Sequence, residues 1–171
     1  MNRYAGLNKN DFAAGEGVCV TLFTQGCARH CPGCHNPETW DFNGGKEFTQ
    51  EIINEIIEAI SANDIQRNFC VMGGEPLCID GYTVTKPAVD AVRAAYPDIK
   101  IYVWTGGIYE DVIQIPQIKE LLEKCDYLID GPYVQELRDI TLKMRGSRNQ
   151  RIIDLHTGLE LNIWLKEKFL V

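Results

Sequence analysis

The chain has 171 residues, a net charge of −7 and 45% hydrophobic residues, which suits a single domain, residues 1–171, with a sizeable core. The acidic balance argues against the basic surface that nucleic-acid binding usually requires. Because there is no run of about eighteen apolar residues and no apolar N-terminal segment, the sequence predicts a cytoplasmic protein that does not span a membrane.

Strands and helices alternate in the predicted elements, after an N-terminal ribbon and loop at residues 1–17. Residues 18–24 are apolar or β-branched at odd and even positions alike, which is typical of a strand buried on both faces of a parallel sheet. Further strands are predicted at residues 68–72, 99–104, 127–129 and 151–154. Helices are predicted at residues 49–60 with Thr49 as N-cap, from Thr85 onward with Pro87 in the first turn, and at residues 116–124. Thr157-Gly158 is predicted to form a turn, and residues 162–171 a strand or a helix.

This alternation predicts an α/β fold with a mostly parallel sheet. About four or five parallel strands are expected, whereas a closed (β/α)₈ barrel has eight strands and about 250 residues. The sequence therefore predicts a partial, open β/α barrel. Ligand sites of such folds gather at the carboxyl ends of the strands.

Three cysteines lie close together in the loop that follows the first predicted β/α strand. They belong to the segment Cys27-Ala28-Arg29-His30-Cys31-Pro32-Gly33-Cys34. Buried cysteines often pack as small hydrophobic residues, but a loop with charged residues, Pro and Gly is not typical of a core. We therefore expect Cys27, Cys31 and Cys34 to bind one inorganic centre. A structural zinc site or a cubane cluster usually has four protein ligands, so one position remains to be filled.

The fourth position has three possible occupants. His30 or His35 would complete a closed zinc site and make the chain a zinc-stabilised binding module. A distant cysteine, Cys70, Cys78 or Cys125, is the second possibility. The third is that no side chain fills the position, so that one iron of a [4Fe-4S] cluster stays open for a small molecule. The iron–sulfur interpretation is favoured, and the structural cysteines are then Cys19, Cys70, Cys78 and Cys125. An odd total of 7 cysteines suits a reducing compartment better than a disulfide framework.

The C-x-x-x-C-x-x-C spacing after a strand resembles that of the radical S-adenosylmethionine (SAM) superfamily. A longer stretch is similar to the activating proteins of anaerobic ribonucleoside-triphosphate reductase. That stretch consists of residues 17–23, Gly26-Cys27 and Cys34-His35-Asn36-Pro37-Glu38-Thr39-Trp40-Asp41. Later motifs extend the resemblance over most of the chain. It implies a partial barrel of the radical SAM type, and a [4Fe-4S] cluster held by Cys27, Cys31 and Cys34 with SAM on the open iron.

The resemblance also implies the residues that bind SAM. Gly73-Gly74-Glu75-Pro76 would contact the amino group, since glycines permit close approach and Glu75 or backbone carbonyls can accept hydrogen bonds; the alternative is a simple turn. Thr105-Gly106-Gly107 would lie along the ribose or the methionine part. Asp130 would orient the ligand or a bound cation, or else is an ordinary turn residue. The full cofactor-binding set is Gly33, Cys34, His35, Gly73, Gly74, Glu75, Thr105 and Asp130.

One position departs from the superfamily pattern. Many members have an aromatic residue just before the third cysteine, where it packs on the adenine, but this chain has Gly33. The stacking role either passes to His35 or His35 is an ordinary loop histidine. Trp40, Trp104 and Tyr133 are interpreted as core or rim aromatics. The block Arg145-Gly146-Ser147-Arg148-Asn149-Gln150-Arg151 resembles another block of the family, and it either docks a partner loop or forms a solvated basic turn.

The resemblance implies an enzyme that acts on a protein. A reduced cluster passes an electron to the sulfonium of SAM, the S–C5′ bond breaks, and the 5′-deoxyadenosyl radical takes hydrogen from a glycine of anaerobic ribonucleoside-triphosphate reductase. A one-electron donor such as flavodoxin or ferredoxin would reduce the cluster. The alternatives are an activator of another glycyl-radical enzyme and a small-molecule radical SAM enzyme.

Overall fold

Eight strands and four helices make up the fold in a computed structural model that describes residues 2–161. The strands are β1 (Arg3–Asp11), β2 (Cys19–Thr24), β3 (Lys46–Glu47), β4 (Asn68–Gly73), β5 (Ile101–Trp104), β6 (Tyr127–Asp130), β7 (Arg151–Asp154) and β8 (Leu159–Glu160). The helices are α1 (Gln50–Ile60), α2 (Ile79–Ala95), α3 (Tyr109–Val112) and α4 (Pro116–Leu122). The α/β class is confirmed, and so are the predicted strands β2, β4, β5, β6 and β7.

The strands form one open, mixed sheet with the order β3-β1-β2-β4-β5-β6-β7-β8. Only the central strands β2, β4, β5 and β6 run parallel to one another. Strands β1, β3, β7 and β8 pair in the antiparallel sense. The prediction of a mostly parallel sheet is therefore wrong, and a partial barrel is not confirmed.

The lengths and compositions of the connections explain the mixed sheet. A parallel pair needs a crossover of about a dozen residues or more, usually with a helix. The segment between β1 and β2 is too short and contains no helix, so the two strands pair as an antiparallel ribbon. The segment between β6 and β7 is longer but holds only a short 3-10 turn at Gln135–Leu137, and β7 returns antiparallel to β6.

The two faces of the sheet are covered differently. One face packs against α1, α2 and α4 in the main hydrophobic core, where Ile56, Val89 and Leu121 meet inward-facing strand residues such as Val71 and Val103. The opposite face carries a smaller cluster, covered in the described region by irregular segments rather than by helices. Its members are Ala14, Cys19, Cys70, Tyr102, Ile129 and Ile152, with Met72, Trp104, Tyr127, Met144 and Leu161 packed against them.

Helix α2 begins earlier than predicted. The Cys78 thiol accepts a hydrogen bond from the Gly81 amide at 3.3 Å and caps a helix that starts at Ile79, six residues before Thr85. Pro87 consequently lies inside the helix, where it removes one backbone hydrogen bond. The buried face of the helix, with Val84 and Val89, stabilises it across the proline.

The other two predicted helices are confirmed, with α1 following Thr49 as its N-cap residue. The prediction for residues 162–171 lies outside the described residues. Among residues 2–161, no helix is long and apolar enough to cross a membrane. The single domain and the cytoplasmic location stay predictions.

Candidate functional site

The three clustered cysteines lie in a loop whose two ends are bonded together at the carboxyl end of β2. The amide of Gly26 donates to the carbonyl of Thr39 at 2.8 Å, and the amide of Cys27 donates to that of Trp40 at 3.2 Å. The buried Gln25 amide group donates to the carbonyls of Glu38 (3.1 Å) and Asp41 (2.7 Å). These bonds hold residues 27–40 as one closed loop, so all three cysteines stay at this end of the sheet.

A glycine is required where this loop begins. Gly26 has a φ of +99°, and a Cβ atom there would lie 2.4 Å from Cδ1 of Phe42. Within the loop, the His30 ring stacks on Trp40 with the ring centroids 4.6 Å apart. His30, one of the candidate fourth ligands, thus packs against the aromatic side chain of Trp40.

The cysteine loop borders a cavity of about 200 Å³ between the ends of the parallel strands. All 7 cysteines lie in the described region, and those that line the cavity are Cys27, Cys31 and Cys34. Burial raises the pKa of the Cys27 thiol, which is only 8% exposed, so this group becomes a thiolate most readily when a metal binds it.

Glycines let the end of β4 approach the cysteine loop. Gly73 has a φ of +107°, and a Cβ atom on Gly74 would lie 2.5 Å from the carbonyl oxygen of Gly26. The amide of Gly74 donates to the Thr24 carbonyl (2.9 Å), and the amide of Glu75 donates to the Gly26 carbonyl (2.9 Å). The predicted segment 73–76 therefore lies beside the cysteines and lines the same cavity.

The carboxylate of Glu75 joins three loops around the cavity. Its Oε2 accepts from Arg29 Nε at 3.1 Å and from the Gly106 amide at 2.8 Å. Its Oε1 accepts from the Thr105 hydroxyl at 2.6 Å and from the Leu77 amide at 3.3 Å. Glu75 is only 7% exposed, so it organises the wall of the cavity.

The remaining predicted residues divide into two groups. His35 and Thr105 line the cavity together with the cysteines. Gly33 does not line it; this residue has a φ of +74°, and a Cβ atom there would lie 2.0 Å from Oε1 of Gln135. Asp130 is fully buried and does not line the cavity; its carboxylate accepts from Arg151 and from the Tyr109 amide, the latter at 2.7 Å.

Several residues that line the cavity were not assigned to the site from the sequence. They are Arg29, Asn36, Met72, Trp104, Gly131, Tyr133, Met144, Gly146 and Gln150. Gln150 belongs to the arginine-rich block 145–151, and its side chain accepts from the amides of Gly146 (2.8 Å) and Ser147 (3.1 Å) and donates to the Gly131 carbonyl (3.0 Å). This block is therefore not a simple solvated turn. The family resemblance of the block was the signal that could have assigned it to the site.

The donor set fits an iron–sulfur cluster. Cysteine thiolates are the usual ligands of cubane clusters, and a cubane offers separate iron corners to separate thiolates, so the three sulfurs need not meet at one point. Among residues 2–161, no three His, Cys, Asp or Glu side chains are grouped to hold a single metal ion.

The cysteine site and the α/β sheet are those of a 4Fe-4S domain, because the family model of 4Fe-4S single cluster domains matches residues 13–153. The chain is thus an iron–sulfur protein, and the zinc module is not supported. It is 37% identical over 142 residues to the anaerobic ribonucleoside-triphosphate reductase-activating protein of Escherichia coli K12, covering 82% of this chain and 90% of that protein.

Proteins of the same name match from other organisms. The one from Salmonella typhimurium is 36% identical over 150 residues, covering 86% of this chain and 96% of the relative. The one from Enterobacteria phage T4 is 37% identical over 142 residues, covering 83% of this chain and 87% of the relative. The chain belongs to the family of anaerobic ribonucleoside-triphosphate reductase-activating proteins.

Proposed function

We propose that the chain is a radical SAM activating enzyme that generates a glycyl radical on anaerobic ribonucleoside-triphosphate reductase. Cys27, Cys31 and Cys34 hold three irons of a [4Fe-4S] cluster, and the fourth iron binds SAM. The observation that carries this proposal is the single cavity lined by those three cysteines and by the ends of β4 and β5. Cys19, Cys70 and Cys125 are buried elsewhere and Cys78 caps α2, which supports ligation by the three cysteines that line the cavity, with the fourth iron left for a ligand.

The walls of the cavity suit a zwitterionic ligand. Glu75 has both carboxylate oxygens occupied by hydrogen bonds, so the backbone carbonyls of the 73–76 loop, the other acceptors that the sequence predicts, would bind the ammonium group. Thr105 and His35 line the same cavity, and in this proposal they contact the nucleoside. Roles for Gly33 and Asp130 in binding the ligand stay predictions, and their positions in the fold do not support direct contact.

In this proposal the protein binds and orients SAM, and the cofactors supply the chemistry. When bound and reduced, the cluster would supply one electron to the sulfonium of SAM; cleavage of the S–C5′ bond would give methionine and a 5′-deoxyadenosyl radical, which would take a hydrogen atom from a glycine of the reductase. The chain's own residues fix SAM against the cysteine loop, while the open side of the cavity admits a segment of the reductase. A one-electron donor such as flavodoxin or ferredoxin reduces the cluster.

Anaerobic purification and spectroscopy test the cluster. We expect a brown protein with roughly four irons and four sulfides per chain, the composition of a cubane. We also expect a change in the electron paramagnetic resonance (EPR) spectrum of the reduced cluster when SAM is added. Cys31→Ala should lose the cluster and Cys70→Ala should keep it. A cluster lost from Cys70→Ala would show that a fourth cysteine is a ligand, and the open-iron proposal would be wrong.

The identity of the protein substrate needs its own measurement. The chain is mixed with SAM, a reductant and anaerobic ribonucleoside-triphosphate reductase, and the glycyl radical is measured by EPR. We expect the signal on the reductase, and no signal when the Cys31→Ala variant replaces the chain. A cluster that responds to SAM without producing a radical on the reductase would instead favour another glycyl-radical enzyme or a small molecule as the substrate.

A further inference from the structure

Arg29 lies in the cysteine loop between Cys27 and Cys31, and the proposed function gives it no role. Its side chain is 43% exposed and lines the cavity together with the three cysteines. Its Nε donates to Oε2 of Glu75 at 3.1 Å. The cavity wall therefore presents an arginine and a carboxylate side by side.

The Thr105-Gly106-Gly107 loop fixes the orientation of this arginine. A Cβ atom on Gly106 would lie 2.4 Å from Cδ and 2.5 Å from Nε of Arg29, so the stem of the arginine lies directly against the backbone of Gly106. Glycine at this position makes room for Arg29. The Gly106 amide also donates to Glu75, which means that the loop and the arginine are held by the same carboxylate.

The hydrogen bond to Glu75 uses Nε, so this carboxylate leaves the Nη edge of the guanidinium to another acceptor. A guanidinium binds carboxylates in a planar, charge-assisted geometry, and such bonds are stronger than neutral ones. The amino-acid end of SAM carries an ammonium and a carboxylate on the same carbon atom. An Arg29–Glu75 pair beside the carbonyls of the 73–76 loop is complementary to that arrangement of charges.

We propose that Arg29 is a positioning residue that binds the carboxylate of SAM through its Nη groups. This inference rests on the proposed function, because it requires SAM in the cavity. Arg29 fixes the carboxylate near the open iron, while its Nε retains Glu75 and, through Glu75, the loops of Thr105 and Leu77. The residue thereby selects ligands that carry a carboxylate.

A purely structural role for Arg29 leads to a different expectation. If the arginine only stabilised the loops, its removal would weaken every ligand of the cavity to the same extent. A contact with the carboxylate instead affects only ligands that possess this group. Decarboxylated SAM, which retains the nucleoside, the sulfonium and the amine, is the ligand that separates these two roles.

The experiment measures equilibrium binding of SAM and of decarboxylated SAM to the anaerobic, cluster-loaded protein by calorimetry. For Arg29→Met we expect a loss of about 10- to 100-fold in affinity for SAM, from the loss of a charged hydrogen bond, and a change below about twofold for the decarboxylated ligand. Arg29→Lys, which keeps the charge but lacks the planar fork, should lose SAM affinity to an intermediate extent. Arg148→Met removes an exposed arginine outside the cavity and should change neither affinity.

Equal losses for both ligands in Arg29→Met, or no loss for SAM, would overturn the inference. Iron content is measured first for each variant. If Arg29→Met does not retain the cluster, the affinities for SAM and for decarboxylated SAM are compared in Arg29→Lys instead, and a loss for SAM alone is again the expected result. Failure of the wild-type protein to bind SAM would refute the proposed function, and this inference with it. Binding of SAM by the wild type without any selective loss in the variants refutes only the role of Arg29.

Discussion

Glu75 illustrates how a residue predicted to bind ligand can also connect the loops of the site. The sequence indicates it as an acceptor for an ammonium group, but its two oxygens already accept four hydrogen bonds from Arg29, Leu77, Thr105 and Gly106. Each of those donors belongs to a loop that lines or supports the cavity. The glycine-rich segment was thus located correctly from the sequence, whereas the partners of the side chain depend on three loops that are distant in the chain.

We predict that Glu75→Gln destabilises the protein. The substitution keeps the shape of the side chain but replaces one carboxylate oxygen with an NH2 group, whose protons then face the donors that the oxygen had accepted from. Buried polar groups left without a hydrogen-bond partner cost about 1–3 kcal/mol. The free energy of unfolding of the cluster-free protein, measured by chemical denaturation, should fall by that amount. Glu136→Gln, at an exposed position, serves as the matched control and should stay within about 0.5 kcal/mol of wild type. An unchanged stability of Glu75→Gln would mean that these four hydrogen bonds are not formed in solution.

At the scale of elements, the sequence signals were strongest where hydrophobic periodicity and burial coincide. The isoleucine stripe of α1 packs into the core, and β2 is almost entirely buried, as its pattern indicates. The start of α2 was missed because Cys78 is an unusual cap and because a proline is ordinarily found in the first turn of a helix. Here tertiary packing outweighs that local preference, and Pro87 lies in the interior of α2.

We predict that Pro87→Ala stabilises the protein. Alanine supplies the amide that can bond to the Thr83 carbonyl and removes the ring from the helix interior, although the loss of proline makes the unfolded chain more flexible. The net gain should be about 1–2 kcal/mol in the free energy of unfolding, as measured by urea denaturation. Pro97→Ala, just beyond the C-cap Tyr96, gives no such gain, since that proline lies outside the helix. A stability of Pro87→Ala below that of wild type would show that the ring packs favourably in α2.

At the scale of the whole molecule, the four parallel strands were predictable and the antiparallel flanks were not. The parallel strands are joined through helical connections that have a clear sequence period. The segment between β6 and β7 has no such period, yet it brings Tyr133, Met144 and Gln150 to the cavity and returns the chain antiparallel. Its course is set by contacts with distant loops, such as the bond from Trp104 Nε1 to the Met144 carbonyl at 2.8 Å. Local propensity does not encode contacts of this kind.

The start of the cysteine loop is hydrogen-bonded to the segment that follows β4, through the Gly26 carbonyl and the Glu75 amide. We therefore predict that binding of the cluster stabilises the whole fold. A group bound only by the folded chain raises the free energy of unfolding, by an amount that grows with the logarithm of its affinity, and the ligands of a metal centre rarely stay assembled in the unfolded state. The midpoint of thermal unfolding, followed anaerobically by circular dichroism, should be several degrees higher for the loaded protein than for chelator-treated protein. In Cys31→Ala the two midpoints should coincide, whereas Cys70→Ala, which opens a small gap in the core, should lower both midpoints and preserve their difference. Equal midpoints for loaded and chelated wild type would show that the loop binds the cluster without coupling to the fold. The hydrogen bond from the Glu75 amide to the Gly26 carbonyl would then not couple cluster binding to the stability of the sheet.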